Sequence, residues 1–314
     1  MPFIEDILKY KSISFVGMEK NAGKTQTLNY VLSRLRTFSK TIALTSIGVD
    51  GETLDIVTNT SKPEIEIYPN TTFITSQALY PQREIVSAIE EVSNQTTALG
   101  RLIQARAITQ GKILLAGPSD TISLKKLIEK LEKNIDLILI DGALSRKTFG
   151  SPSITQAMIL STGASLSASL NVVVKKTKFI YQMTQLPQYE GKFAEQLQQI
   201  ENGIYAITDE GIKDLQIPSL MMIDKYKDKI FACGKKLFVA GALNDKFIQF
   251  LKIQKNPQEI EIIIKDFTKI FSNEDNTLQY LSKGGKIKVL DKANLIAITA
   301  NPISPTGYHF NNEE

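Results

Sequence analysis

An α/β fold on a mainly parallel, doubly wound sheet is what this sequence of 314 residues predicts. Three observations carry the expectation. Short apolar strands alternate with amphipathic helices along most of the chain, which implies crossover connections and a sheet covered on both faces. A glycine-lysine-threonine turn in "GMEKNAGKT" joins the first strand to the first long helix. That is where a phosphate-binding loop belongs. A later apolar strand, "LILIDG", ends in Asp141, the position of a magnesium-holding carboxylate in such proteins.

The elements follow in order. "ISFV" from residue 13 reads as a buried strand, and in "TQTLNYVLSRLR" Leu28, Val31, Leu32 and Leu35 recur at helical spacing. "TIALTSIG" is the second strand and runs into the polar turn "VDGE". Residues 62–118 form a β-rich insertion: "EIEIYP", "TTFITS", "RLIQARAI" and "KILLAGP" read as strands. "TQG" suits a hairpin turn between the last two, and "REIVSAIEEV" reads as a helix. Alternation then resumes with helix "SLKKLIEKLEKN", strands "DLILIDGA" and "AMILSTGA", and a helix around "NVVVKKTKFIYQMTQL". The last stretch predicts strand "KLFVAGAL", helix "DKFIQFLK", strand "EIEIIIKD", helix "NTLQYLSK" and strand "NLIAITANP". No internal repeat or low-complexity tract interrupts this pattern.

Composition narrows the function. A hydrophobic fraction of 42% supports a sizeable core. The net charge of +4 is mild and the longest basic runs are pairs such as Lys175-Lys176, so no nucleic-acid partner is expected. The amino end lacks the pattern of a secretory leader, and no apolar run approaches the roughly 18 residues of a membrane span. A cytoplasmic chain with no membrane partner is the expectation. Cys233, the single cysteine, lies among apolar residues and reads as a small core side chain. With His309 as the only histidine, neither a Ser-His-Asp triad nor a histidine-rich metal site is expected.

Chemistry therefore falls to the loop. The usual phosphate loop is Gly, four residues, then Gly-Lys-Thr or Gly-Lys-Ser: backbone N–H groups cradle phosphate, the lysine reaches the terminal phosphates and the hydroxyl meets magnesium. Here Met18 stands where the first glycine belongs and Gly17 is one residue early, while Gly23, Lys24 and Thr25 are intact. Lys20, Asn21, Ala22, Gly23, Lys24, Thr25 and Gln26 are the expected nucleotide contacts. Lys24, Asp50 and Asp141 are the expected catalytic groups, and Thr25, Asp50 and Asp141 the expected magnesium ligands. Asp141 has a capping role as its alternative, and Asp50 that of starting the Asp50-Gly51 turn, with Glu52 as its substitute. Asn301, after the final strand, is expected beside the nucleotide base, because ligands gather beyond the carboxyl ends of parallel strands. The stretch "DGALSRKTFGSPSITQA", with Arg146, reads either as a phosphate-responsive loop or as a surface connection. The cofactors implied are ATP or GTP with Mg2+. The absence of an Asn-Lys-x-Asp guanine motif leans toward ATP. On these grounds the chain, 1–314, is expected to form a single P-loop NTPase-like domain.

"GMEKNAGKT" resembles the loop of the SIMIBI class of phosphate-loop NTPases, especially the "KNSGKT" form of the molybdopterin-guanine dinucleotide biosynthesis protein that binds GTP. A longer resemblance runs through "ALTSIGVDGE", "LLAGPS", "LIDGALSRKTFGSPSITQAMILSTGASLS" and "NPISPTGY": together with the loop these look like the small P-loop subunit of the lysine 5,6-aminomutase reactivase. That resemblance implies two partners, a MutS-related ATPase subunit and an adenosylcobalamin-dependent aminomutase whose damaged cofactor is replaced. The competing readings are an ATP-dependent kinase or ligase of the dethiobiotin synthetase type and a GTP-binding adaptor in molybdenum cofactor biosynthesis.

Overall fold

The computed structural model describes residues 3–47, 64–143, 151–217 and 220–311. The chain forms two compact units, Met1–Gly150 with Ile154–Thr177 and Asn294–Glu314, and Ser151–Ser153 with Lys178–Ala293. The strands expected to share one sheet are therefore divided. The first unit holds α1 (Ile4–Ile7), β1 (Ser12–Gly17), α2 (Lys24–Leu35), β2 (Ile42–Ser46), β3 (Ile65–Ile67), β4 (Thr72–Ser76), β5 (Ser87–Thr97), β6 (Gly100–Ala107) and β7 (Gly111–Ile113). It continues with α3 (Thr121–Leu131), β8 (Leu137–Ala143), β9 (Ala157–Gly163) and the start of α4 (Leu170–Thr184). The second unit contains α5 (Ala194–Gln199), β10 (Ile204–Ile207), β11 (Ile212–Asp214), α6 (Lys227–Ile230), β12 (Lys236–Val239), α7 (Asp245–Lys252), β13 (Glu261–Ile264), α8 (Glu274–Ser282) and β14 (Lys286–Val289). The chain then returns to the first unit for β15 (Leu295–Asn301).

The large sheet has eight strands in the order β15-β9-β1-β8-β2-β4-β6-β5. From β15 to β4 every neighbouring pair is parallel, and β6 and β5 extend that edge antiparallel. Alternation along β8 shows why both faces are covered. Leu137 and Leu139 join a core with Leu28, Val31, Leu32 and Leu35 of α2. Ile138 and Ile140 join a second core with Leu124, Ile128 and Leu131 of α3. Helices thus pack on opposite faces of one mostly parallel sheet.

The β-rich stretch departs from expectation in two places. "REIVSAIEEV" is not a helix: most of it lies in β5, an edge strand. Its apolar residues mimic helical spacing because Val86, Ile89 and Val92 are exposed and the ladder to β6 shifts register after Ile89 and again after Val92. Nor do β6 and β7 form the expected hairpin, since β7 pairs with β3 while β6 pairs with β5 and β4. The hairpin turn lies between β5 and β6, where Gly100 has φ 86°.

The second unit has a five-stranded sheet in the order β11-β10-β12-β13-β14, parallel from β12 to β14. Phe238 and Ile263 are buried in its core with Tyr189 and Leu197. Asn244 and Asn273 cap α7 and α8 through bonds from the Phe247 and Asn276 N–H groups. Tyr280 is fully buried, its hydroxyl donating to the Ile260 carbonyl at 3.2 Å, and a Cβ added at Gly285 would stand 2.3 Å from its ring. Cys233, expected in the core, is only half-buried.

Candidate phosphate-binding site

The site grows from the carboxyl ends of two neighbouring strands. β1 and β8 run parallel in register, so Gly17 and Asp141 emerge on the same edge of the sheet. After Gly17 the chain turns through Met18, whose N–H donates to the Ser161 carbonyl of β9 at 2.8 Å. Asn21 sits at φ 60° and Gly23 at φ 93°, two left-handed positions that curl the backbone before α2 begins at Lys24. The first helical bond is Thr27 N–H to the Gly23 carbonyl, at 2.9 Å. The N–H groups ahead of it have no intrahelical acceptor. The N-cap residue, Gly23, has no side chain with which to cap them. By contrast, the Asp120 carboxylate closes the start of α3 by accepting from the Ser123 N–H at 2.8 Å. An unblocked helix start of this kind suits an anion.

Lys24 folds back across the loop. A Cβ added at Gly17 would stand 3.1 Å from both Cγ and Cδ of Lys24 and 3.1 Å from the Glu19 carbonyl. Position 17 is therefore the seat of the lysine stem. Lys24 Nζ ends 3.9 Å from Asp141 Oδ1, with both side chains 17% exposed. A positive and a negative group thus face one another, partly withdrawn from water and separated by more than a hydrogen bond.

The other expected contacts are distributed around this core. Ala22 is buried and its N–H donates to the Glu19 carbonyl at 3.4 Å, while Lys20 is exposed with its own N–H donating to Glu19 Oε1 at 3.0 Å. Thr25 is half-buried in the first turn of α2 and Gln26 is exposed. Asn301 lies against the loop itself, its Nδ2 donating to the Asn21 carbonyl at 2.9 Å. Asp50, Glu52 and Arg146 lie outside the described residues. Sequence reasoning missed the groups that hold the loop from the sheet side. Thr27 Oγ1 lies 3.0 Å from Thr299 Oγ1, which lies 2.9 Å from Ser161 Oγ. The alternation Thr299-x-Asn301 at the end of an apolar strand was the available signal.

Of the expected magnesium ligands, Thr25 and Asp141 lie among the described residues. Among the described residues no group of three or more His, Cys, Asp or Glu side chains gathers. Thr25 and Asp141 offer oxygens, and magnesium takes its remaining ligands from phosphate and water. Bound magnesium would neutralise charge on the phosphates; Lys24 would hold the terminal phosphate and Asp141 would orient the metal's water shell. Comparison of this chain with protein-family models, curated proteins and solved structures finds no match. Among the described residues no helix is long and apolar enough to cross a membrane.

Proposed function

We propose that this chain is a P-loop NTPase-like protein that binds ATP with magnesium and acts as the nucleotide-responsive subunit of a reactivase for an adenosylcobalamin-dependent lysine 5,6-aminomutase. The observation that carries nucleotide binding is Lys24, seated on Gly17 and directed at Asp141 across an uncapped helix start. The client and the MutS-related partner rest on the sequence resemblance from the loop through "LIDGALSRKTFGSPSITQA" to "NPISPTGY". The physical requirement is linkage: nucleotide must bind one conformation of the complex more tightly than another, or it does no work on the mutase.

Calorimetric titration with ATP and magnesium tests the first part, with saturable binding expected. Magnesium-dependent binding should vanish when the nucleotide is omitted. The second part is tested by mixing the chain and its ATPase partner with a mutase carrying inactivated cobalamin. ATP-dependent release of the spent cofactor is expected. ATP turnover that instead demands a metabolite and gives a phosphorylated product would replace the reactivase reading with the kinase one.

A further inference from the structure

We infer that Asn301 is a positioning residue: it braces the phosphate loop from the last strand of the sheet and does not read the base. The inference rests on the nucleotide reading above. A loop that turns its N–H groups toward phosphate turns carbonyls the other way, and those carbonyls need donors. Asn301 supplies one, through Nδ2 to the Asn21 carbonyl at 2.9 Å. Its other end is also committed, because Oδ1 accepts from the Ile303 N–H at 3.1 Å. A backbone N–H only donates, so this bond fixes which end of the amide faces the loop. With both ends tied inside the protein, the orientation of the amide is set by the loop and by the Ile303 backbone.

The packing around Asn301 has the tolerance of a brace. A Cβ at Gly23 would lie 3.1 Å from Asn301 Cβ, so the two residues are already in contact at the turn into α2. Gly163 of β9 pairs with Asn301, and a Cβ there would fall 2.0 Å from the Asn301 carbonyl. Only glycine lets β15 come this close. Two residues earlier, on the same face of the strand, Thr299 links Thr27 of α2 to Ser161 of β9. One strand face therefore grips both the loop and the first turn of its helix. Asn21, whose carbonyl Asn301 meets, sits at φ 60° in the left-handed region.

Two probes separate a brace from a base reader: ATP with magnesium, and tripolyphosphate with magnesium, which carries phosphates and no base. In calorimetric titrations Asn301→Ala is expected to weaken both by the same factor, about fivefold to tenfold, with the ATP-over-GTP ratio unchanged. An unchanged tripolyphosphate affinity beside a weakened ATP affinity overturns the brace, as does a shifted ATP-over-GTP ratio or no loss for either probe. Thr299→Val keeps the side-chain shape and removes the hydroxyl between Thr27 and Ser161. It is expected to weaken both probes in parallel, and it decides the matter if Asn301→Ala does not fold. Failure of the unmodified chain to bind either probe overturns the nucleotide reading itself, a result distinct from any obtained with the variants.

Discussion

Lys24 reaches toward Asp141 with its stem close over position 17, where no side chain stands. Lys24→Ala is expected to lower ATP affinity about tenfold to a hundredfold with little change in stability, measured by titration beside a thermal melt. Wild-type affinity in that variant would remove the phosphate loop from consideration. Asp141→Asn keeps the shape and removes the charge. It should leave most ATP binding intact while flattening its dependence on magnesium concentration; an unaltered dependence would move the metal elsewhere. The glycine, lysine and threonine of this site were legible in the sequence because their spacing is itself the signal. Gly17 as a seat for the lysine stem was not, since nothing in a string of letters shows that Lys24 turns back on itself. For Asn301, closeness to the site could be inferred from its place after a strand, but the partners of its amide could not.

Helices were read well where one face is buried and the other wet. α2 and α3 bury the leucines, isoleucine and valine that their spacing marks. Strand pairing was not legible at the same level. β5 carries apolar residues on an exposed, bulged edge, so the alternation that identifies a strand is lost. Close backbone contacts were equally hidden. Gly117, just before α3, lies so near the end of β2 that an added Cβ would sit 1.8 Å from the Ser46 carbonyl. Gly117→Ala is therefore expected to destabilise the first unit by about 1–3 kcal/mol in chemical denaturation. A neutral result would mean that the segment is free to lift off β2.

Over the whole molecule, the sequence showed the alternation of strands and helices but not its division among an eight-stranded, a five-stranded and a two-stranded sheet, because strand strings do not name their neighbours. The division has a consequence for pH. Tyr189, Tyr205 and Tyr280 all lie in the second unit, and burial is the leading cause that raises each hydroxyl's pKa above the ordinary 10.0. A raised folded-state pKa gives stability that is complete below the unfolded value and is lost as pH climbs through the folded one. The second unit is thus expected to weaken from about pH 10 upward. Tyr280→Phe should blunt that loss, as followed by urea denaturation between pH 8 and about 11; identical pH profiles for the two proteins would refute the assignment.

The contacts from Asn301 to the turn before α2 and from Thr299 to the first turn of that helix span 280 and 272 residues of chain. At about 5–20 residues per second a ribosome completes that interval in on the order of tens of seconds. Throughout it, the loop has been made and its carbonyl partners have not. The second sheet must be synthesised before the strand that finishes the first. A product broken off anywhere before residue 295 would carry the lysine and the glycines without the strand that packs against their turn, and on the proposed reading it would bind nucleotide poorly.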